Sequence, residues 1–557
     1  MLIAAIERRV ASIILFSVFA LTLIVTPWLN LDPINLPKFF ILVVSGFALL
    51  GNLLPYLRKV VQSEIRLGSI LVLLFLFALF IAFLFSDSDN ISQIYGANGR
   101  NTGLLAYVSL AMVLLATVLV SNYSFAKRLI WVLVATGIIN AAYGFIQWAG
   151  LDLIDWSNPY NPIVGTLGNP NFTSAHLGIA ALASLALLFE RSGSIAQRII
   201  LIGNIGLSLF IIYKSDASQG LLVFALGFTL IFYYRFLPFL KVTLLKYLYW
   251  LVVATGIAVG AFGILNMGPL ASLLYQDSVS YRGDYWRAGL KMSLDNPIGG
   301  VGLDSYGNWY RFYRDEAATL RRGPDVTSNS AHNVFLDISS NGGFILLVTY
   351  LMIIALVARS AIRVLRKSTG FDGVGLALIT SWIAYLIQSI ISINQLGLAI
   401  WGWVLGGAII GYDFYKDRAD APRVRGRGAK RLDQVPPQAL LTGALGIVVG
   451  VLLAIWPVVK DASFRAALVS SDAIEIERAV SGFPQGSYYY TYAADIFLQN
   501  NLEDKALEMA KKAIEINPRD FNAWKLYIAN PSISQSQRSE AIAKMRELDP
   551  FNKTLQE

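Results

Sequence analysis

The chain has 557 residues, of which 55% are hydrophobic and 15% charged, and its formal net charge is +9 at pH 7. Soluble globular domains carry about 25% charged residues, so the composition excludes an ordinary soluble protein and indicates a membrane protein. The absence of cysteine excludes disulfide bonds, thiolate nucleophiles and cysteine-based zinc sites.

Apolar segments of about 20 residues recur along most of the chain, and each is long enough to cross a bilayer as a helix. The first begins near Val10 and lacks a small-residue cleavage site, so we interpret it as a retained helix rather than a signal peptide. We predict an all-α, polytopic fold with about 12–13 transmembrane helices. The candidate spans are 10–28, 37–54, 68–86, 104–121, 128–149, 173–189, 197–213, 219–235, 245–265, 343–365, 372–391, 396–411 and 438–457.

The distribution of Lys and Arg orients all these spans. Arg8 and Arg9 precede the first span, which places the N-terminus in the cytoplasm by the positive-inside rule. The basic loops then alternate with loops poor in Lys and Arg, and the most basic segment is YKDRADAPRVRGRGAKR (415–431). An odd number of spans puts the tail, residues 458–557, outside the cytoplasm.

The long loop 266–342 is predicted outside, although it is rich in arginine. Its arginines are Arg282, Arg287, Arg311, Arg314, Arg321 and Arg322. Long loops are translocated largely regardless of their charge, so the arginines need another explanation. They bind an anion, or they form a solvated basic surface that faces anionic lipid headgroups.

Within this loop, SNSAHNVFLDISSNGG (328–343) holds His332, one of two histidines, directly before an apolar span. An imidazole can accept a proton from a hydroxyl at neutral pH, which makes His332 a candidate general base. The alternative is an interfacial histidine that caps a helix or hydrogen-bonds within its loop. Asp304, Asp325 and Asp337 are all near enough in sequence to orient the ring, and the sequence does not choose among them.

Arg282 lies in SVSYRGDYWRAGLKMSLDNPIGGVGLDSYGNW (278–309), beside Tyr285 and Trp286. Its planar donor fork suits a phosphate, and the alternative is an arginine whose charged end reaches from a helix on the bilayer to water. The glycine-rich part of this segment is no P-loop, because it lacks the Lys-Ser/Thr ending and no strand precedes it.

Three further polar segments, 86–103, 165–176 and 213–220, are predicted on the same side of the membrane. Polar groups at the membrane edge are costly and are therefore candidates for function. The candidates are Arg100, Asn169, Asn171, His176, Lys214, Asp216 and Gln219. Asp87 and Asp89 form a D-x-D pair, a weak signal for a metal with a diphosphate, and we predict no metal site and no cofactor.

The tail is polar and periodic. YAADIFLQNNLEDKALEMAKKAIEINPRD (492–520) has small residues at helical spacing and ends in Asn-Pro, and EAIAKMRELDP (540–550) ends in Asp-Pro. This pattern resembles tetratricopeptide repeats, which usually form a platform for a protein partner or peptide.

Five segments occur in order: GANGRNTGLLAY (96–107), YGFIQWAG (143–150), GTLGNPNFTSAHL (165–177), YRGDYWRAGLKMSLDNPIGGVGLDSY (281–306) and SAHNVFLDISSNGGFILL (330–347). Together they resemble the O-antigen ligase and O-antigen polymerase (Wzy-type) superfamily over residues 1–415. The remaining chain is then a basic cytoplasmic linker at 416–437, an additional transmembrane helix at 438–457 and the extracytoplasmic tail.

The resemblance implies a multi-pass, GT-C-like glycosyltransferase of the bacterial plasma membrane, which acts in the synthesis of lipopolysaccharide or another cell-envelope polysaccharide. Its donor would be a glycan linked to undecaprenyl diphosphate, transferred at the outer leaflet to an acceptor hydroxyl without a metal. The family's loop histidine and one loop arginine map to His332 and Arg282. The implied donor-binding residues are Arg100, Lys214, Gln219 and Arg287, supported by Asn333, Asn169 and Asn171.

The sequence departs from the family at one of these positions. A family arginine in a Ser-Arg-Gly setting after the seventh span is replaced by Gln219 in ASQG. Glutamine carries no charge to neutralise a diphosphate, so Lys214 or a loop arginine substitutes, or the donor is held differently.

A polysaccharide polymerase and a protein O-oligosaccharyltransferase stay open as alternatives, and the tail slightly favours a protein partner or acceptor. More distant alternatives are a lipid or glycan transporter and a membrane scaffold. Nothing indicates nucleic-acid binding.

Overall fold

A computed structural model describes residues 4–58, 66–156, 158, 161–190, 193–239, 242–269, 271–274, 277–368, 370–420 and 435–555. Every regular element within these ranges is a helix, and eleven helices are long and apolar enough to cross a membrane. The predicted all-α, polytopic membrane fold is therefore confirmed. Most of the predicted cytoplasmic linker 416–437, residues 421–434, lies outside the described residues.

The helices that coincide with predicted spans form one bundle. They are α1 (Ala4–Leu23), α2 (Asn35–Leu53), α3 (Arg66–Leu84), α5 (Leu104–Val120), α6 (Tyr123–Trp148), α7 (Pro170–Leu188), α8 (Ile195–Lys214), α9 (Gln219–Phe236), α10 (Thr243–Ile264), α15 (Val334–Lys367), α16 (Gly373–Ile391), α17 (Leu396–Asp420) and α18 (Pro437–Ser470). The spans expected at 173–189 and 396–411 belong to α7 and α17, which have 19 and 25 residues.

Helix α17 forms the centre of the bundle. Its residues 396–413 are all buried, because α1, α5, α15 and α16 all pack against it. The indole of Trp401 is fully buried and donates to Thr22 Oγ1 at 2.9 Å. A polar side chain inside the bundle thus has its hydrogen bond, as a dry interior requires.

Short helices cover one end of the bundle. They are α4 (Asn90–Tyr95), α11 (Ala271–Leu274), α12 (Asp277–Asp295), α13 (Tyr306–Tyr313) and α14 (Glu316–Arg322). The candidate residues lie in or next to the segments 86–103, 165–176, 213–220 and 266–342. These segments follow every second span, and successive spans reverse direction, so all four lie at this same end of the bundle. We call it the loop end. Contacts such as Thr166 Oγ1 to the carbonyl of Thr22, at 2.7 Å, join these connections to one another.

Helix α15 bends at Gly343, whose φ of 75° and ψ of 176° interrupt the helical backbone. A Cβ at this position would lie 2.3 Å from the carbonyl oxygen of Ile298, so only glycine allows the loop to approach so closely. The amide of Phe344 donates to the carbonyl of Pro297 at 2.8 Å. The bend separates a polar first part of α15, next to His332, from the apolar part that was predicted as the span.

Helix α18 continues from the bundle into the tail. Its bundle part packs closely on α2 through glycines: a Cβ at Gly51 would lie 2.2 Å from the carbonyl oxygen of Thr442, and a Cβ at Gly446 would lie 2.3 Å from that of Phe47. The tail adds α19 (Ala473–Ser481), α20 (Ser487–Gln499), α21 (Glu503–Ile516), α22 (Phe521–Ala529) and α23 (Gln535–Leu548). These pack as successive helices, and their assignment to tetratricopeptide repeats stays a prediction.

The tail contacts the loop helices directly. Asp549, which follows α23, is buried and pairs with Arg314 Nη2 at 2.6 Å and with Arg311 Nη1 at 3.1 Å. The guanidinium of Arg519 lies 3.4 Å from the centre of the Trp309 ring. The tail and the long loop therefore lie at the same end of the bundle.

Candidate functional site

His332 lies in the connection that leads into α15. The next residue, Asn333, caps α15, because its Oδ1 accepts from the amides of Phe335 at 3.0 Å and Leu336 at 3.1 Å. The amide of His332 donates to Ser330 Oγ at 2.8 Å. Hydrogen bonds on both sides therefore fix the backbone that carries the imidazole.

The backbone of His332 is left-handed, with a φ of 52°, and two residues near it share this conformation: Asp304 at 55° and Asn101 at 56°. Such φ values are uncommon outside glycine, although asparagine, aspartate and histidine adopt them more readily than other residues. Three of them at the loop end are consistent with a candidate site in this region.

Asp337 is the carboxylate that holds the His332 turn. Its Oδ1 accepts from the amide of Ala331 at 2.7 Å, and its Oδ2 accepts from Ser330 Oγ at 3.1 Å. Asp304 instead pairs with Arg100, and the exposed Asp325 pairs with Lys525 of the tail. The structure thus separates three acids that the sequence left equivalent, and Asp337 acts on the backbone rather than on the ring.

The imidazole of His332 stacks on Tyr285, with ring centres 5.3 Å apart and an angle of 26° between the planes. Burial, together with the positive charges of Arg282 and Arg100, lowers the pKa of His332 to about 4. The ring is consequently neutral at pH 7 and carries a lone pair that can accept a proton. Tyr285 was noted in the sequence only as a neighbour of Arg282, and its stacking on His332 follows from the tertiary fold.

Arg282 lies on α12, one turn before Tyr285, and is partly buried. No carboxylate among the described side chains pairs with it, and burial lowers its pKa. Arg282 thus lies close enough to depress the pKa of His332 and pairs with no described carboxylate, so its charge is suited to an anionic ligand.

The other loop arginines are already paired. Arg287 pairs with Asp284 and Asp315, Arg321 and Arg322 pair with Asp284, and Arg311 and Arg314 pair with Asp549. These contacts hold α12, α14 and the tail together. The arginine-rich character of the loop is thus partly explained by carboxylates inside the protein.

Arg100 joins the connection before α5 to the His332 segment. It is buried, its Nε lies 3.0 Å from Asp304 Oδ1, and its Nη2 lies 3.7 Å from Asp337 Oδ2. Its Nη1 donates to the carbonyl of Asn329 at 2.6 Å. The guanidinium is therefore placed beside the proposed base, with two carboxylates as its partners.

The remaining candidates form a second group at the loop end. Lys214, the last residue of α8, lies 5.4 Å from the centre of the Trp148 ring. Gln219 begins α9 and is buried, with Oε1 lacking a described partner. Asn169 caps α7 by accepting from the amide of Asn171 at 2.9 Å. Among the described residues, no hydrogen bond or ion pair links this group to His332 or Arg282.

Two weaker sequence signals, His176 and Asp89, lie in or next to helices. His176 is buried within α7, where its ring lies 6.3 Å from that of Trp401. Asp89 caps α4, because its carboxylate accepts from the amides of Ile91 at 3.2 Å and Ser92 at 2.8 Å.

Comparison with known protein families finds a match in the region that carries the loop end. Residues 203–351 match the family described as O-antigen ligase. The matched segment contains Lys214, Gln219, Arg282, Arg287 and His332, and ends within α15. No curated protein matches the chain.

Proposed function

We propose that the chain is a membrane glycosyltransferase that moves a glycan from a polyprenyl-diphosphate donor to an acceptor hydroxyl, a proposal supported by the match of residues 203–351 to the family described as O-antigen ligase. The donor lipid is undecaprenyl, and transfer takes place at the outer leaflet of the bacterial plasma membrane. The acceptor is a lipid-anchored glycan, as for a ligase. No metal takes part in the proposed reaction.

One observation supports this proposal most strongly: a neutral imidazole and an arginine that pairs with no described carboxylate occur together at the loop end. The pKa of His332, lowered to about 4, leaves the ring able to accept a proton at neutral pH. The guanidinium of Arg282 carries the charge that a departing diphosphate needs. A base and a cation of this kind match the two charge changes of glycosyl transfer.

In the proposed reaction, the acceptor O–H donates its proton to the imidazole of His332 while its oxygen forms a bond to the anomeric carbon of the donor sugar. The bond from that carbon to the diphosphate oxygen breaks, and the electron pair leaves with the lipid diphosphate. Arg282 stabilises the negative charge on this oxygen. The negative charge on the leaving oxygen also offsets the repulsion between Arg282 and the newly formed imidazolium. Proton transfer and departure of the leaving group therefore favour each other.

The residues around this pair have positioning roles. Asp337 and Ser330 hold the left-handed turn at His332, and Asn333 holds the start of α15. Arg100 anchors the His332 segment to the connection before α5 and adds positive charge nearby. We propose that Lys214 and Gln219 contact the donor further from the reacting carbon, with Lys214 supplying the charge that Gln219 lacks.

The test is transfer by the purified full chain in lipid nanodiscs, with an undecaprenyl-diphosphate-linked oligosaccharide as donor. His332→Ala should lower the turnover rate by about 10²–10⁴-fold, the range for loss of a general base. Arg321→Ala, which removes an exposed arginine of the same loop, serves as the matched control and should transfer normally. Normal turnover by His332→Ala would remove the proposed base.

Deletion of the gene in its host distinguishes the acceptor classes. Accumulation of unligated lipid-linked chains supports a ligase, and surface chains reduced to single repeat units indicate a polymerase instead. Loss of one glycoprotein with normal surface polysaccharide indicates a protein O-oligosaccharyltransferase. Donor retained on the cytoplasmic leaflet indicates a transporter and contradicts the proposal.

A further inference from the structure

A cavity of about 720 Å³ lies where the tail meets the loop end of the bundle. Its lining comes from Leu36 and Tyr95 at the bundle end, from Asn308 and Asn329 of the long loop, and from α20 and α22 of the tail. Ligand pockets commonly measure about 300–1,000 Å³, so this space can hold a small molecule of several rings. The residues proposed to transfer the glycan do not line it.

The lining combines aromatic rings with planar amides. Tyr488 and Tyr492 lie on successive turns of α20, with ring centres 6.1 Å apart, and both are partly exposed. Six asparagines also line the cavity: Asn98, Asn101, Asn308, Asn329, Asn517 and Asn522. A pyranose has an apolar C–H face that packs on an aromatic ring and a rim of hydroxyls that both donate and accept. Asparagine amides both donate and accept, so they suit that rim.

The charges of the lining argue against an anionic ligand. Lys525 is the one cation among the described lining residues, and it already pairs with Asp325 at 3.0 Å. The acids that line the cavity are Asp304, Asp495 and Asp520. Asp304 is neutralised by Arg100, whereas Asp495 and Asp520 leave the tail side slightly negative. A diphosphate or an acidic sugar would meet these carboxylates without a free cation.

The cavity is held open by the protein itself. The buried pairs of Asp549 with Arg311 and Arg314 fasten the tail to the loop, and Asp520 accepts from Thr491 Oγ1 at 2.8 Å to join α22 to α20. Binding into a preformed site avoids the cost of ordering its walls. Asn329, which lines the cavity, precedes His332 by three residues and accepts from Arg100, so the cavity lies beside the proposed reaction centre.

We propose that this cavity binds an uncharged oligosaccharide, the glycan portion of a substrate held next to the site of transfer. That this sugar belongs to the donor or the acceptor rests on the proposed function. Sugar binding itself does not, since it can be measured without transfer. The tail thus acts as one wall of a sugar site.

The experiment applies the full chain, labelled and embedded in nanodiscs, to an array of neutral oligosaccharides. The best-bound oligosaccharide is then titrated by calorimetry. We expect binding by the wild type, a loss of about tenfold or more in Tyr492→Ala, and near-normal affinity in Tyr492→Phe, which keeps the ring. Phe551→Ala is the matched control: Phe551 is 37% exposed and Tyr492 38%, both lie in the tail, and Phe551 does not line the cavity.

Two further measurements separate this proposal from the proposed function. His332→Ala should bind the oligosaccharide as the wild type does, although it no longer transfers. Competition kinetics in the wild type show whether the bound sugar belongs to the donor or the acceptor, because the soluble oligosaccharide competes with whichever substrate uses the cavity.

Absence of any bound oligosaccharide in a wild type that still transfers would overturn the cavity proposal and leave the proposed transferase function standing. Displacement of the sugar by inorganic pyrophosphate would overturn it as well, since the site would then be anionic.

Discussion

The imidazole of His332 and the guanidinium of Arg282 influence each other's charge. Arg282 helps to keep the ring unprotonated, and burial weakens the hydration of the arginine itself. Both residues could be singled out from the sequence, because His332 is one of two histidines and directly precedes an apolar span, and Arg282 lies beside aromatic residues at the position of a loop arginine in the family that the sequence resembles. The role of Asp337 could not be predicted, since it depends on a turn that brings Ser330 and Ala331 onto its carboxylate.

At this scale we predict a shift in the pH dependence of kcat/KM. Protonated His332 cannot accept a proton, so activity should be lost as pH falls through the pKa of the ring, which is about 4. Arg282→Gln removes a positive charge that lowers this pKa. The acidic limb of the kcat/KM profile, where activity falls with falling pH, should therefore move to higher pH. Arg282→Lys keeps the charge and should keep the limb near its original position.

The measurement is kcat/KM against pH for the two variants, because this ratio reports the groups of the free enzyme. An unchanged acidic limb in Arg282→Gln would show that the arginine does not act on the ring. Arg282→Gln should also use the donor more poorly than Arg282→Lys, by about 10–100-fold, as expected for loss of a charge-assisted hydrogen bond.

Among the helices, α15 connects the site to the membrane. Its first part, up to Gly342, carries Asp337, and its second part is apolar and crosses the membrane. The apolar part was predictable from length and hydrophobicity. The bend was not, because the positive φ of Gly343 depends on Ile298 and Pro297 pressing against it from a distant turn.

We predict that Gly343→Ala destabilises the protein and impairs transfer. The new Cβ would meet the carbonyl of Ile298 at 2.3 Å, and the backbone would have to hold a φ of 75°. Holding alanine in this backbone region, which essentially only glycine adopts, costs about 1–3 kcal/mol and overpacking about 1–3 kcal/mol, so thermal unfolding in detergent should occur at lower temperature. Gly206→Ala is the control, because a Cβ there has open space. Equal unfolding temperatures for the two variants would contradict the role given to the bend.

At the scale of the whole molecule, the tail closes over the loop end. The contact depends on charges far apart in the chain: Arg314 and Asp549 are separated by 235 residues. The sequence indicated helices in the tail and placed them on the loop side, but nothing in a local pattern indicates which distant charges pair. The cavity between tail and loop was unforeseeable for the same reason.

We predict that Asp549→Ala loosens this contact, because it leaves Arg314 buried without its partner. Removing one member of a buried pair typically costs about 3–5 kcal/mol. Hydrogen–deuterium exchange should accelerate in α13 and α23, which meet at this contact. The control is Glu316→Ala, which removes the exposed pair between Glu316 and Lys553 and should change exchange little. Unaltered exchange in Asp549→Ala would mean that other contacts hold the tail.

Helix α18 has 34 residues and passes from its glycine-lined seam with α2 into the tail without a linker. The tail therefore cannot swing outward on a tether to collect molecules from a distance. In the proposed transfer, an acceptor then has to come within reach of the membrane surface, so its size and the depth of its own anchor would decide whether it is used. For the proposed reaction, acceptor choice is in that sense a matter of height above the bilayer as well as of chemical identity.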